Sequence, residues 1–199
     1  AFEGSAIKSV DFACATIVGE RAFANTSSLV SASLGGVTEM GEYLFASSAV
    51  KNVTFGAGTK LVSDYAFYNL GNLESVTLPN GVEEIGAFAF SGTGKLSAIN
   101  LKGTKTVGEY AFLNATSLKN VDLSTVVKFG NGAMSYTAIT KADLANAEYV
   151  GDFAFMDDEN LTEVTFGALK FVGKYAFSDA RLVTVRLPES FDNVNSVYT

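Results

Sequence analysis

Apolar and polar positions recur along this chain with a fixed period. Aligning on a Phe that usually follows Ala sets the frame: Phe2, Phe23, Phe45, Phe67, Phe90, Phe112, Met134, Phe155 and Phe177, spaced 21–23 residues apart. Met134 is the one substitution, and Leu44 replaces the Ala before Phe45. Five or six residues after each Phe comes apolar-x-x-apolar-x-apolar, as in Val50/Val53/Phe55, Leu73/Val76/Leu78 and Leu161/Val164/Phe166. Its last two apolar positions alternate with a polar one, the period of a strand with one buried face. Further on, an apolar residue precedes Gly or Ser, as in Val62-Ser63, Ile85-Gly86 and Val107-Gly108. An acidic residue often follows (Glu20, Glu42, Asp64, Glu109, Asp152), then an aromatic two residues before the Phe.

Each unit therefore predicts one strand, a second extended piece ending at the Gly, and a short helical or turn segment carrying Glu-Tyr-Ala-Phe. The acidic residue suits the first turn of such a segment, where free N–H groups favour negative charge. Asn25, Ser47, Asn69, Gly92, Asn114, Asp157 and Asp179, two past the Phe, suit an exit in left-handed conformation. A unit of about 22 residues cannot bury its apolar face alone, whereas stacked units can. Equivalent strands then lie parallel about 4.8 Å apart, so nine of them span roughly 38 Å. The Phe column is the expected core spine.

Residues 73–90, LESVTLPNGVEEIGAFAF, combine the triplet with the Gly-x-x-Ala-Phe block. On these motifs the chain resembles the BspA-like (treponemal-type) leucine-rich repeat proteins, over essentially residues 1–190. Two features of that family are reduced. The Pro after the strand survives only as Pro79 and Pro188, and the slot three past the Phe holds Thr26, Ser48, Thr93, Ala115 and Thr137 rather than Cys. The resemblance implies a mainly β fold with short helical turns: a right-handed leucine-rich repeat solenoid whose parallel sheet takes one strand per repeat of about 22 residues. It also implies a secreted or cell-surface protein adhering to extracellular-matrix or host cell-surface partners, and carries over no ligand residues. The expected organisation is one domain over 1–190, opening mid-repeat as a piece of a longer array. Residues 191–199 are expected to be a tail, or the start of a further coil or cap.

Composition narrows the chemistry. The chain has no His and no Trp, and Cys14 is its only cysteine. That removes His-based acid–base catalysis, His metal sites, Cys clusters and intramolecular disulfides. No cofactor is implied. A net charge of −7 argues against nucleic acid and anionic membrane surfaces. No apolar run approaches the roughly 18 residues of a membrane span. A monomer is expected. Cys14 follows the first strand and is expected to be a small buried residue. Asn-x-Ser/Thr sequences begin at Asn25, Asn52, Asn114 and Asn160, matches that the repeat itself makes frequent.

Two surfaces are candidate partner sites. On the outward face of the main strands, Asn100, Asn120, Asp122, Lys141, Asp143 and Glu163 gather on neighbouring coils. Asp122 and Asp143 are expected about 5 Å apart, with Lys141 offsetting a repulsion of roughly 0.8 kcal/mol. This is either a solvated sheet face or a site for a polar ligand or weakly held cation. On the flank, Tyr43, Tyr65, Phe88, Tyr110, Phe153 and Tyr175 form an aromatic stripe. It is expected to be partly exposed, and either shields the coils or contacts a partner. One unit is degenerate, with Gly132 for the aromatic, Met134 for the Phe and Ala142 for the strand valine. Tyr136 is expected to swing in and fill the gap.

The expected function is a non-enzymatic module binding protein partners through an extended repeat face. A spacer between other domains is the alternative. A parallel β-helix enzyme acting on polysaccharide is a second alternative, disfavoured because uniform coils leave no loops to build a cleft.

Overall fold

The computed structural model describes residues 1–189, and the tail expected at 191–199 lies outside the described residues. The apolar triplets form a column of parallel strands: β1 (Ser9–Asp11), β3 (Ser31–Leu34), β5 (Asn52–Phe55), β7 (Ser75–Thr77), β9 (Ala98–Ile99), β11 (Asn120–Val121), β13 (Lys141–Leu144), β15 (Glu163–Phe166) and β17 (Thr184–Arg186). The pieces ending at Gly or Ser form a second parallel column: β2 (Ile17–Val18), β4 (Glu39–Met40), β6 (Leu61–Val62), β8 (Glu84–Ile85), β10 (Thr106–Val107), β12 (Lys128–Phe129), β14 (Tyr149–Val150) and β16 (Phe171–Val172). Most neighbouring strands of a column pair in register one repeat apart, as in Asn52↔Ser75 and Lys141↔Glu163, the ladder being broken between β4 and β6, β7 and β9, and β11 and β13. The result is a β-solenoid.

Burial follows the sequence period. β5 and β13 alternate exposed and buried residues along their length. Phe23, Phe45, Phe67, Phe90, Phe112 and Phe155 are fully buried. Their rings stack from coil to coil, 4.8 Å apart for Phe67–Phe90 and 5.2 Å for Phe90–Phe112. The Gly ending the second strand has a steric origin. A Cβ at Gly108 or Gly130 would collide with the backbone of the preceding coil near Ala87 or Glu109. Ser63 is the exception, and its hydroxyl donates to the Met40 carbonyl one coil away.

The Ala-Phe segment corrects the expected helical turn: among the described residues it is a turn with no helix. Two residues per coil are left-handed. The exit positions are, as expected, Asn25, Ser47, Asn69, Gly92, Asn114, Asp157 and Asp179, joined by Tyr136. The second left-handed position is the aromatic stripe itself, with φ of 55° at Tyr43, 56° at Tyr65 and 53° at Phe88. With left-handed residues at the two ends of the turn, four apart, every second N–H of the turn meets the neighbouring coil. The N–H groups of Tyr43, Phe45 and Ser47 donate to the carbonyls of Asp64, Ala66 and Tyr68 at 3.1, 2.8 and 3.0 Å. The turns thus form a third hydrogen-bonded ladder, which offsets the roughly 1–2 kcal/mol that each left-handed non-Gly residue costs.

The acidic residue also has a different role. With no helix there is no helix dipole, and the short side chains serve the adjacent coil instead. Asp64 Oδ1 accepts from the Ala87 N–H at 2.7 Å, and Asp152 Oδ1 from the Lys174 N–H at 2.8 Å.

The degenerate unit is repaired from elsewhere. Tyr136 does not fill the space at Met134: it stays 41% exposed, held left-handed at φ 59°. Phe129 fills it. This residue occupies a second-strand position that is Val or Ile in most coils; it is fully buried, and its ring reaches Phe155 at 5.2 Å. Cys14 is exposed, against expectation. It lies in the turn after β1, in a coil with a described neighbour on one side only.

Candidate functional site

The outward face of the main strands is flat and polar, because alternate strand positions point away from the core. From β1 to β7 it presents Ser9, Asp11, Ser31, Ser33, Asn52, Thr54, Ser75 and Thr77, most of them exposed. Neighbouring coils touch through these side chains, as where the Ser75 hydroxyl donates to Asn52 Oδ1 at 2.8 Å.

Of the six polar residues singled out on this face, three form turns, two form an ion pair and Asn120 does neither. Asn100, Asp122 and Asp143 each accept, through a side-chain oxygen, the backbone N–H two residues on: Lys102 at 3.0 Å, Ser124 at 3.0 Å and Ala145 at 3.1 Å. They shape the exit from the strand, as Asx turns do. Hydrogen bonds from the Ser124 hydroxyl and N–H hold the Asp122 carboxyl below its ordinary range. The expected closeness of Asp122 and Asp143 is not realised by strand pairing. β11 pairs only with β9, and no Cα of β11 lies within 8 Å of β13. Lys141 turns instead to Glu163 at 2.9 Å, which Arg186 meets from the other side at 3.0 Å. Lys141 first, then Arg186, keeps the Glu163 carboxyl below its usual range. Asn120 is exposed at the start of β11. Among the described residues, no group of three or more His, Cys, Asp or Glu side chains is placed to hold a metal ion.

The aromatic stripe is a stacked ladder. Tyr43–Tyr65, Tyr65–Phe88 and Phe88–Tyr110 lie 4.5, 4.9 and 5.0 Å apart, and Phe153–Tyr175 resumes it at 5.5 Å. The rings are half-buried, except that Tyr175 is 56% exposed. The ladder breaks at Gly132, where a Cβ would overlap the Tyr110 ring. Burial, chiefly, pushes the Tyr65 phenol above its ordinary range. Beside the second strands run two open grooves of about 490 and 420 Å³, bordered by Glu20, Glu42 and Asp64 in one and by Glu84, Glu109 and Lys128 in the other.

Sequence reasoning missed two features. Tyr149 and Phe171, outward on β14 and β16, stack at 4.6 Å with the Lys128 ammonium 5.8 Å from the Tyr149 ring. Their alternation with Val150, which is buried, and Val172, which is half-buried, was the available signal. The second is Asp158, a wholly buried carboxyl in the slot that otherwise takes small or apolar side chains. A charged residue in an uncharged column was its signal.

The geometry agrees with known proteins. A family model described as a BspA type leucine rich repeat region matches residues 1–107 and 101–198, in six copies. No curated protein matches the chain. Among solved structures, a leucine-rich repeat protein from Bacteroides ovatus is 23% identical with a TM-score of 0.68, over 94% of this chain and 63% of that one. The chain thus spans under two thirds of that protein's length. The leucine-rich repeat protein of T. pallidum is 23% identical with a TM-score of 0.62, over 87% of this chain and 72% of that one. A leucine-rich cell surface protein from Faecalibacterium prausnitzii is 18% identical with a TM-score of 0.60, over 81% and 48% respectively. No helix among the described residues is long and apolar enough to cross a membrane. Strand column, Phe spine and Gly-x-x-Ala-Phe turns coincide with the span of the family match, and the chain belongs to the BspA-type leucine-rich repeat family.

Proposed function

We propose that this chain is a non-enzymatic protein-binding module of a cell-surface or secreted protein, and that it adheres to extracellular-matrix or host cell-surface proteins through the outward face of its main strands. One observation carries the reading: that face is exposed, in register and free of protruding loops over successive coils. Many weak contacts in register can add to a useful affinity without a single deep pocket. The surface location is supported by the family and by the F. prausnitzii neighbour, itself described as a cell surface protein.

The stacked flank aromatics favour a second reading, because Tyr and Phe are enriched at interfaces. One experiment separates the two. The immobilised chain is exposed to individual purified matrix proteins, alongside a face variant (Thr54→Arg with Thr77→Arg) and a flank variant (Tyr65→Ser). Saturable binding that falls at least tenfold in the face variant alone supports the main-strand reading. Loss in the flank variant alone moves the site to the aromatic ladder. Binding to none of them, with flanking domains of the parent protein binding instead, makes the solenoid a spacer.

A further inference from the structure

The aromatic stripe mixes Tyr and Phe, and one contact in it stacks phenol on phenol. Tyr43 and Tyr65, one coil apart, lie 4.5 Å from centre to centre with their rings 8° from parallel. Both belong to left-handed residues of nearly equal φ, 55° and 56°, so the two side chains leave the backbone in the same direction. Their hydroxyls accordingly share one end of the stack, near enough to act on each other. Elsewhere the ladder sets Tyr against Phe: Tyr65 on Phe88, Tyr110 on Phe88 and Tyr175 on Phe153. Tyr149 likewise lies on Phe171. Among the described residues the one other Tyr–Tyr contact is edge to face, Tyr65 against Tyr68 at 5.6 Å.

The pair is reachable from solvent yet fixed in its partner. Both rings are half-buried, and Tyr68 beside them is 38% exposed. The Arg21 guanidinium lies over the outer face of Tyr43, 5.8 Å from the ring centre, and Glu3 holds Arg21 at 2.7 Å. Phe88, which has no phenol, closes the far face of Tyr65. Each of the two rings thus has one phenol to stack upon, and it is the other. The turns that carry them follow β4 and β6, where the ladder of the second strand column is broken. We propose that Tyr43 and Tyr65 are an oxidative modification site, where a one-electron oxidant of the kind a haem peroxidase makes from hydrogen peroxide joins them into a dityrosine cross-link between adjacent coils.

Each phenol gives up one electron and its hydroxyl proton, and one peroxide takes both pairs and leaves as two waters. Unpaired spin in a phenoxyl ring reaches the carbons ortho to its oxygen, so the two radicals join through one Cε atom of each ring. Each joined carbon then releases its hydrogen as a proton, and a proton returns to each oxygen to restore the phenol. The net change is a new C–C bond and the loss of two hydrogen atoms. Holding both rings at one stack replaces a diffusive encounter with an intramolecular one, which raises the effective concentration of each radical for the other. The stacked rings must turn about their Cβ–Cγ bonds to bring the ortho edges together, and their solvent-facing side leaves room for that turn. The product is a covalent staple across the gap between β4 and β6.

The test treats the whole chain, dilute, with hydrogen peroxide and a haem peroxidase, and uses N-acetyltyrosine as the control that the oxidant couples phenols. The expected result is dityrosine fluorescence in the monomer fraction. Peptide mapping should join the Tyr43 peptide to the Tyr65 peptide, two hydrogens lighter than the separate pair. Tyr43→Phe and Tyr65→Phe should each lower the monomer fluorescence roughly tenfold or more. Both variants keep the ring, and Phe88 and Phe153 show that the column takes Phe. Tyr68→Phe should leave the Tyr43–Tyr65 bond in place. A monomer fraction without dityrosine, while the control couples, overturns the site. Fluorescence undiminished in Tyr43→Phe, or a map that joins Tyr65 to Tyr68 instead, overturns it equally.

Discussion

At the scale of single residues, the core works by repetition with local exchange. A Phe stacks on a Phe in most coils, so its size is set by the coil above and the coil below. Where Met134 leaves that column short of volume, Phe129 supplies it from the second sheet. The account predicts a strong coupling between the two, measurable by chemical denaturation of a double-mutant cycle. Met134→Phe alone overfills the site and should cost about 1–3 kcal/mol. Phe129→Val alone leaves a cavity and should cost about 2–4 kcal/mol. The double variant restores the pattern of the other coils and should lie within about 1 kcal/mol of the wild type, a signature of coupled neighbours. Both substitutions are visible in the sequence, but their pairing is not, because nothing in a linear period says which ring reaches into which gap. Asp158 was similarly hidden: its slot read as a place for small residues, and only the folded chain shows the carboxyl closed off from water.

At the scale of elements, the strands and their inward faces were legible because burial imposes a period of two on them. The left-handed exits were legible for a related reason: Asn, Asp, Ser and Gly tolerate that conformation. The left-handed aromatics were not, since bulky side chains disfavour positive φ and propensity points away from it. What overrides propensity is the neighbouring coil, which accepts the N–H and stacks the ring. Gly132 tests that explanation. Its φ of 59° matches the aromatic positions of other coils, so backbone shape alone does not demand glycine there. The obstacle to a side chain is the Tyr110 ring lying over it. Gly132→Ala should lose about 1–3 kcal/mol in thermal or urea unfolding, combining left-handed strain with the displaced ring. In a Tyr110→Ala background the same substitution should cost only the backbone share, about 1–2 kcal/mol. An equal cost in both backgrounds would remove the ring from the explanation.

At the scale of the whole molecule, the parts of the proposed binding face behave differently. From β1 to β7 the main strands form one continuous ladder of mostly hydroxyl and amide side chains. From β13 to β17 the face carries the Lys141–Glu163–Arg186 ion pairs, and the ladder between the two regions is interrupted between β7 and β9 and again between β11 and β13. The sequence placed the charged residues together but assumed uninterrupted pairing, which is why it expected Asp122 beside Asp143. The outward face exists as one surface only if successive units are stacked in register. Distances between spin labels measure this most directly, with Cys14→Ser removing the native thiol. Ser31→Cys is paired in turn with Asn120→Cys, Lys141→Cys and Thr184→Cys, which lie four, five and seven coils away. The account predicts that the label distance grows steadily with coil number, by about 4.8 Å per coil. The single larger step should fall between Asn120 and Lys141, where no Cα of β11 lies within 8 Å of β13. Distances that fail to increase with coil number would contradict the stacked solenoid and the recognition face built on it.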